Sequence, residues 1–188
     1  MGRWEPNAGG RLAQAALDLY RERGFEQTTA AQIAERAGLT ERTFFRHYAD
    51  KREVLFGGAH VLEDAFVQAL ADAPDTAAPI DAMAAALAVA ADQFLDRHEF
   101  ARQRHAVIVA NAELRERELI KLASLSEALA ATFRRRGVTD PAASLTAEAG
   151  IAVFKVGFER WVTGDGARPL GEFLREGLAE LKAVAAGE

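Results

Sequence analysis

The stretch Gly24-Phe25-Glu26-Gln27-Thr28-Thr29-Ala30-Ala31-Gln32-Ile33-Ala34-Glu35-Arg36-Ala37-Gly38-Leu39-Thr40-Glu41-Arg42-Thr43-Phe44-Phe45-Arg46-His47-Tyr48-Ala49-Asp50-Lys51-Arg52-Glu53-Val54-Leu55 decides the fold. Thr29 followed three residues later by Gln32 is a capping-box pattern, in which the hydroxyl accepts from the N3 amide and the glutamine reaches back. Ile33, Ala34 and Ala37 give the short helix that follows a buried face, and Gly38 ends it. Thr40 caps a second short helix, Glu41 to about Tyr48, whose Phe44 and Tyr48 lie four apart on one face and read as core. Two short helices about a glycine turn have the spacing of a helix-turn-helix, whose second helix lies in the major groove of DNA.

Working outward, Asp50 with Glu53 at the third position is a second capping box, and predicts one long helix running to about Leu70 with Val54, Leu55, Val61, Leu62 and Phe66 as apolar positions. Towards the N-terminus, Leu12, Ala15, Ala16, Leu19 and Tyr20 recur at helical spacing from Arg11 to the stop at Gly24. Beyond Leu70, the segment 72–79 holds two prolines among small and polar residues and is the clearest break in the chain. Five further helices are expected, at about Ile80–Arg97, Phe100–Val109, Glu113–Arg136, from Pro141 to Thr163, and Pro169–Ala185. No alternating strand pattern and no internal repeat is visible, so the class is all-α.

Of the 188 residues, 49% are hydrophobic and 27% charged, a composition that can bury a core. There is no cysteine, which excludes disulfides and thiolate metal sites. The apolar stretches are interrupted by charges and the N-terminus shows no signal-peptide pattern, so a cytoplasmic protein away from the membrane is expected. The net charge of −5 is unevenly spread. Residues 1–56 hold 9 Lys/Arg and 8 Asp/Glu (+1), which leaves 14 and 20 (−6) for residues 57–188. Charge alone therefore does not mark a DNA binder, and the motif carries that reading. The four histidines form no H-E-x-x-H pattern, and there is no phosphate loop, nucleophile elbow or cysteine nucleophile. No catalytic residue, metal or cofactor is expected, and the chain does not read as an enzyme.

The run quoted above, with Ala15-Ala16, Gly24-Phe25, Thr28-Thr29, Ile33-Ala34, Ala37-Gly38, Thr43-Phe44-Phe45, His47-Tyr48, Lys51 and Leu55 as its marks, closely resembles the N-terminal domain of the tetracycline-repressor (TetR) family over about residues 11–56. Gly9-Gly10 depart from it, standing where such proteins usually carry polar or basic helix residues. The resemblance implies a nine-helix fold with a helix-turn-helix DNA-binding domain (1–56) and a helical ligand-binding and dimerisation domain (57–188). It implies a homodimer on double-stranded operator DNA, and a repressor released by a small molecule. The expected DNA-contacting residues are Thr28, Thr29, Arg42, Thr43, Phe45, Arg46, His47 and Lys51. Thr29 can bring its hydroxyl to a phosphate. Arg42 and Thr43 lie in the first turn of the recognition helix, where arginine can bond guanine bidentately and the threonine methyl can touch thymine. Phe45 can offer packing along the backbone, and Lys51 a charge to a phosphate. Thr29 and Thr40 are caps with or without DNA, and Arg42 and Arg46 also read as plain solvated charges.

The helix ending at Trp161 is apolar on more than one face and needs partners on two sides. With the last helix it is expected to form the dimer interface, through Phe154, Phe158, Trp161, Phe173 and Leu174. An apolar ligand cavity is expected around Phe66, Leu87, Phe94, Ile108 and Phe133, with Arg104 and His105 as polar candidates, although an arginine and a histidine so placed more often read as a surface charge and a structural histidine. The segment 111–118 resembles the C-terminal domain of regulators similar to the mycofactocin-system regulator, which implies an apolar or acyl-type ligand. The competing reading is a helical ligand carrier or partner-binding protein without DNA binding.

Overall fold

Asn7 opens the first helix from a left-handed backbone conformation, its side chain accepting a hydrogen bond from the Gly10 amide at 3.0 Å. The structure, a computed structural model, describes residues 7–187. Helix α1 (Ala8–Arg23) thus begins three residues before Arg11, and the glycine pair explains how. A Cβ on Gly10 would fall 2.4 Å from the Asn7 Oδ1, so the cap requires glycine there. Gly9 offers its carbonyl to the Tyr48 hydroxyl at 3.1 Å.

Helices α2 (Ala30–Arg36) and α3 (Glu41–His47) follow as the capping residues dictate. Both halves of the Thr29/Gln32 box are made, and the Thr40 hydroxyl accepts from the Thr43 amide. Each such cap is worth about 1 kcal/mol. Gly38 takes the positive φ, 66°, that the turn needs. Leu12, Ala16, Leu19, Ile33 and Phe44 are buried together with Phe25, whose ring meets Tyr20 edge-on. Arg11 donates to the Ala37 carbonyl, and Arg36 pairs bidentately with Glu22, so α1 is tied to the turn and to α2.

The long fourth helix expected from Asp50 is divided. Asp50 does accept from the Arg52 and Glu53 amides, but what it caps is a 3-10 turn, Glu53–Phe56; α4 runs from Ala59 to Ala71. Gly57 marks the break: its Cα lies under the Tyr48 ring, and a Cβ would come within 2.7 Å of Cε1. Glu53–Ala71 is long and apolar enough to span a membrane by length and composition alone. It is split between two helix types and carries Glu63 and Asp64 near its middle, where carboxylates are costly in lipid.

The chain divides into two compact units. The first takes residues up to Ala59 together with Gln103–Glu118, the end of α6 (His98–Ala110) and the start of α7 (Ala112–Arg135). In this unit Arg104 donates to the Leu55 carbonyl at 2.7 Å, pairs with Glu118 at 3.1 Å and lies over the Phe56 ring.

The second unit takes His60–Arg102 and the chain from Leu119 on. Its core is α5 (Pro79–Asp92), α8 (Ala142–Thr163) and α9 (Leu170–Ala186), each packed on the other two. The inward face of α5 is mostly alanine with Met83 and Leu87, so α8 can approach closely. At Gly157 a Cβ would stand 2.6 Å from the Leu174 Cδ2, so glycine sets the spacing of α8 and α9. Arg136 spans the proline-bearing break by donating to the carbonyls of Ala71, Ala73 and Pro74. α5 ends at Asp92, five residues short of the expected Arg97. Among the described residues there are nine α-helices and no strand.

Candidate nucleic-acid interface

Helix α3 is fixed through one face. Phe44 is fully buried, with Phe45 edge-on at 5.3 Å and Tyr48 at 5.7 Å between ring centres. Burial raises the Tyr48 pKa, so the phenol stays a neutral donor to Gly9. The opposite side presents Arg42, Phe45, Arg46 and His47 to solvent, with Phe45 53% exposed. Several other arginines hold a carboxylate: Arg36 with Glu22, Arg52 with Asp50, Arg102 with Glu99, Arg134 with Asp140, Arg168 with Glu172. Among the described residues Arg42 and Arg46 have no ion-pair partner. Their donors remain available to an outside anion or base.

The remaining expected contacts sort by environment. Thr29 is exposed, and its hydroxyl oxygen accepts from Gln32, which leaves its hydrogen to donate. The Thr43 and Thr40 hydroxyls share a hydrogen bond at 3.0 Å, and Thr43 is half-buried. Thr28, also among the expected contacts, is 1% exposed and its hydroxyl donates to the Gly24 carbonyl, which places it behind the surface. Lys51 is half-buried over the Phe25 ring and donates to the carbonyls of Phe25 and Glu26 at 2.9 and 3.2 Å. An ammonium has three donors, so one remains for a phosphate. Tyr20 donates to the Lys51 carbonyl, and burial holds its phenol pKa well above the ordinary value. Glu41, exposed at the start of α3, was absent from the expected contacts; its place in the first helical turn was the available signal.

The ligand candidates fall in both units. Phe66, Leu87 and Phe133 are buried core of the second unit, and Phe94 is half-buried there among Phe154, Phe158 and Trp161. Ile108, buried, and Arg104 and His105, half-buried, belong to the first unit. Burial lowers the Arg104 pKa from its ordinary value, and Glu118 opposes that shift.

The dimer candidates differ in exposure. Phe154, Trp161 and Leu174 are buried within the single chain, because α5 and α9 supply the partners that α8 requires. Phe158 stacks on Phe154, and the Arg160 and Arg168 guanidinium groups both lie over the Phe173 ring. What α8 and α9 leave exposed is Leu145, Val156 and Val184. Leu145 and Val156 are eleven residues apart, hence on one face of α8, with Ala149 and Ala152 between them.

Comparison with known proteins agrees with this geometry. Residues 12–56 match the family model for bacterial regulatory proteins of the tetR family, and residues 77–186 match that for the MftR C-terminal domain. The chain is 41% identical over 76 residues to the HTH-type transcriptional regulator TcmR of Streptomyces glaucescens, a match covering 40% of this chain and 34% of TcmR. It is 28% identical over 172 residues to MftR of Mycobacterium tuberculosis, named as a mycofactocin biosynthesis transcriptional regulator, covering 86% of this chain and 83% of that one. Among solved structures it resembles FadR of Thermus thermophilus, a TetR-family transcriptional repressor in complex with lauroyl-CoA (TM-score 0.55, 24% identity, 91% of each chain).

Proposed function

Because the chain belongs to the tetR family of bacterial regulatory proteins, we propose that it is a homodimeric cytoplasmic repressor that binds operator DNA through α3 and is released by an apolar or acyl-type ligand. The observation that carries the DNA half is the state of α3. Two unpaired arginines stand on its outer face while Phe44 and Tyr48 lock the opposite face against α1. Arg42, Thr43, Arg46 and His47 meet base edges and nearby backbone, Phe45 packs along the backbone, and Thr29 and Lys51 hold phosphates.

The ligand half is supported by the composition of the second unit, whose aromatic residues Phe66, Phe94, Phe154, Phe158 and Trp161 touch in sequence with few charges among them, and by the acyl-CoA bound to FadR. Residues 1–56 serve DNA and residues 57–188 serve ligand and dimer. The segment Gln103–Glu118, which clusters with the first unit, is where the two roles share one stretch of chain. Arg104 and His105 stand in it.

An electrophoretic shift with DNA upstream of the protein's own gene tests the proposal. A retarded band that fatty-acyl-CoA abolishes is expected; a full-length folded protein that retards no fragment contradicts it.

A further inference from the structure

Resting on the reading of α3 as the major-groove helix, we infer that Glu41 is a specificity-determining residue that selects a cytosine in the operator. Glu41 is the first residue of α3 and is exposed. On a helix a carboxylate is neutralised by a cation three or four residues on; here those positions are Phe44 and Phe45. Arg42 is adjacent in sequence and points about 100° away around the helix, so it does not face Glu41. Glu22 and Asp50, by contrast, are each held by an arginine. The recognition helix therefore carries a bare carboxylate into a groove walled by phosphates.

That charge has one favourable contact available there. Among base edges, an ionised carboxylate can only accept, and it is repelled by guanine O6 and N7, adenine N7 and thymine O4. The cytosine N4 amino group is a donor without an adjacent acceptor on the same base, and is the base partner of Glu and Asp. Adenine also offers an amino group, but beside the N7 acceptor, an arrangement that suits an amide and opposes a carboxylate. Glu41 and Arg42 are then complementary readers, the first of a cytosine and the second of a guanine. Glu41 also lowers affinity for DNA that places no cytosine beneath it, which sharpens discrimination.

A glutamate in the first turn is also favourable to the helix dipole, so the test needs a readout that helix stability does not move. Full-length wild type, Glu41→Gln and Glu41→Ala are each used to select binding sites from a randomised duplex library, with thermal melting followed in parallel. The wild type is expected to select a site with one cytosine preferred by about tenfold or more over other bases. Glu41→Gln is expected to move that preference to adenine, whose N6 and N7 an amide pairs bidentately, and Glu41→Ala to abolish it. Wild type and both variants returning the same site would overturn the inference while leaving the reading of α3 intact. A wild type that enriches no sequence would overturn that reading, and the inference with it.

Discussion

The Arg104 guanidinium reaches the carbonyl oxygen of Leu55 at 2.7 Å, a contact between residues 49 apart in the chain. The same group holds Glu118 at 3.1 Å and covers the Phe56 ring, so one side chain fastens the end of α6 and the start of α7 to the 3-10 turn that closes the DNA-binding domain. Arg104 is four-fifths buried and Glu118 about seven-tenths, so removing the cation strands a carboxylate and a carbonyl. Arg104→Ala is expected to lower stability by about 1.5–3 kcal/mol, the range for hydrogen bonds to a charged group. Arg104→Lys keeps the charge without the fork and should fall between. Denaturant unfolding measures both; an Arg104→Ala variant as stable as the parent would show that the fork contributes nothing.

Dimerisation is expected to use the face of α8 that carries Leu145, Ala149, Ala152 and Val156. Val156 is 55% exposed, so Val156→Glu should leave the fold intact and give monomers in sedimentation. Phe158→Glu is a different experiment: it places a charge against Phe94, Phe154 and Trp161 and should unfold the second unit. A Val156→Glu protein that sediments as a dimer would move the interface elsewhere.

For the ligand, thermal-shift measurements are expected to show stabilisation by fatty acyl compounds and none by sugars or free nucleotides. A ligand at a hundred times its Kd adds about 2.7 kcal/mol to the folded state. Stabilisation confined to strongly polar metabolites would rule out an apolar cavity.

Lys51 carries two roles that separate experimentally. Lys51→Ala should weaken binding equally on all DNA and lower the salt slope by about one unit per bound subunit, because one fewer counterion is released. It should also lower the melting temperature, since the ammonium bonds two carbonyls and the Phe25 ring. A variant with an unchanged salt slope and a lowered melting point would leave Lys51 a purely structural residue.

The helix-turn-helix was legible because its signals are local. Thr29, Gln32, Gly38 and Thr40 each act on a neighbour within four residues, and the caps fall where those side chains predict. Asp50 sent the same kind of signal, but Gly57 and the Tyr48 ring above it interrupt the helix, and that contact is not local. The all-round apolar surface of α8 was read correctly as needing two partners. Which partners depended on α5, whose alanines and Met83 let it lie against α8 and bury Phe154 within one chain. The roles of Arg104 and Lys51 were not legible for a related reason. Their partners are backbone carbonyls 49 and 26 residues distant, and a carbonyl leaves no mark in a sequence.

The central claim is that α3 reads sequence through Arg42. The most direct test is a binding titration of wild type and Arg42→Ala on the best operator and on a scrambled duplex of equal length, at several salt concentrations. Arg42 is exposed and unpaired, so the variant should fold as the parent does. Loss of a bidentate base contact predicts a cost of about 1–3 kcal/mol on the operator and much less on the scrambled duplex. Equal losses on both duplexes would make Arg42 a phosphate contact, and no loss on either would contradict the placement of α3 in the groove.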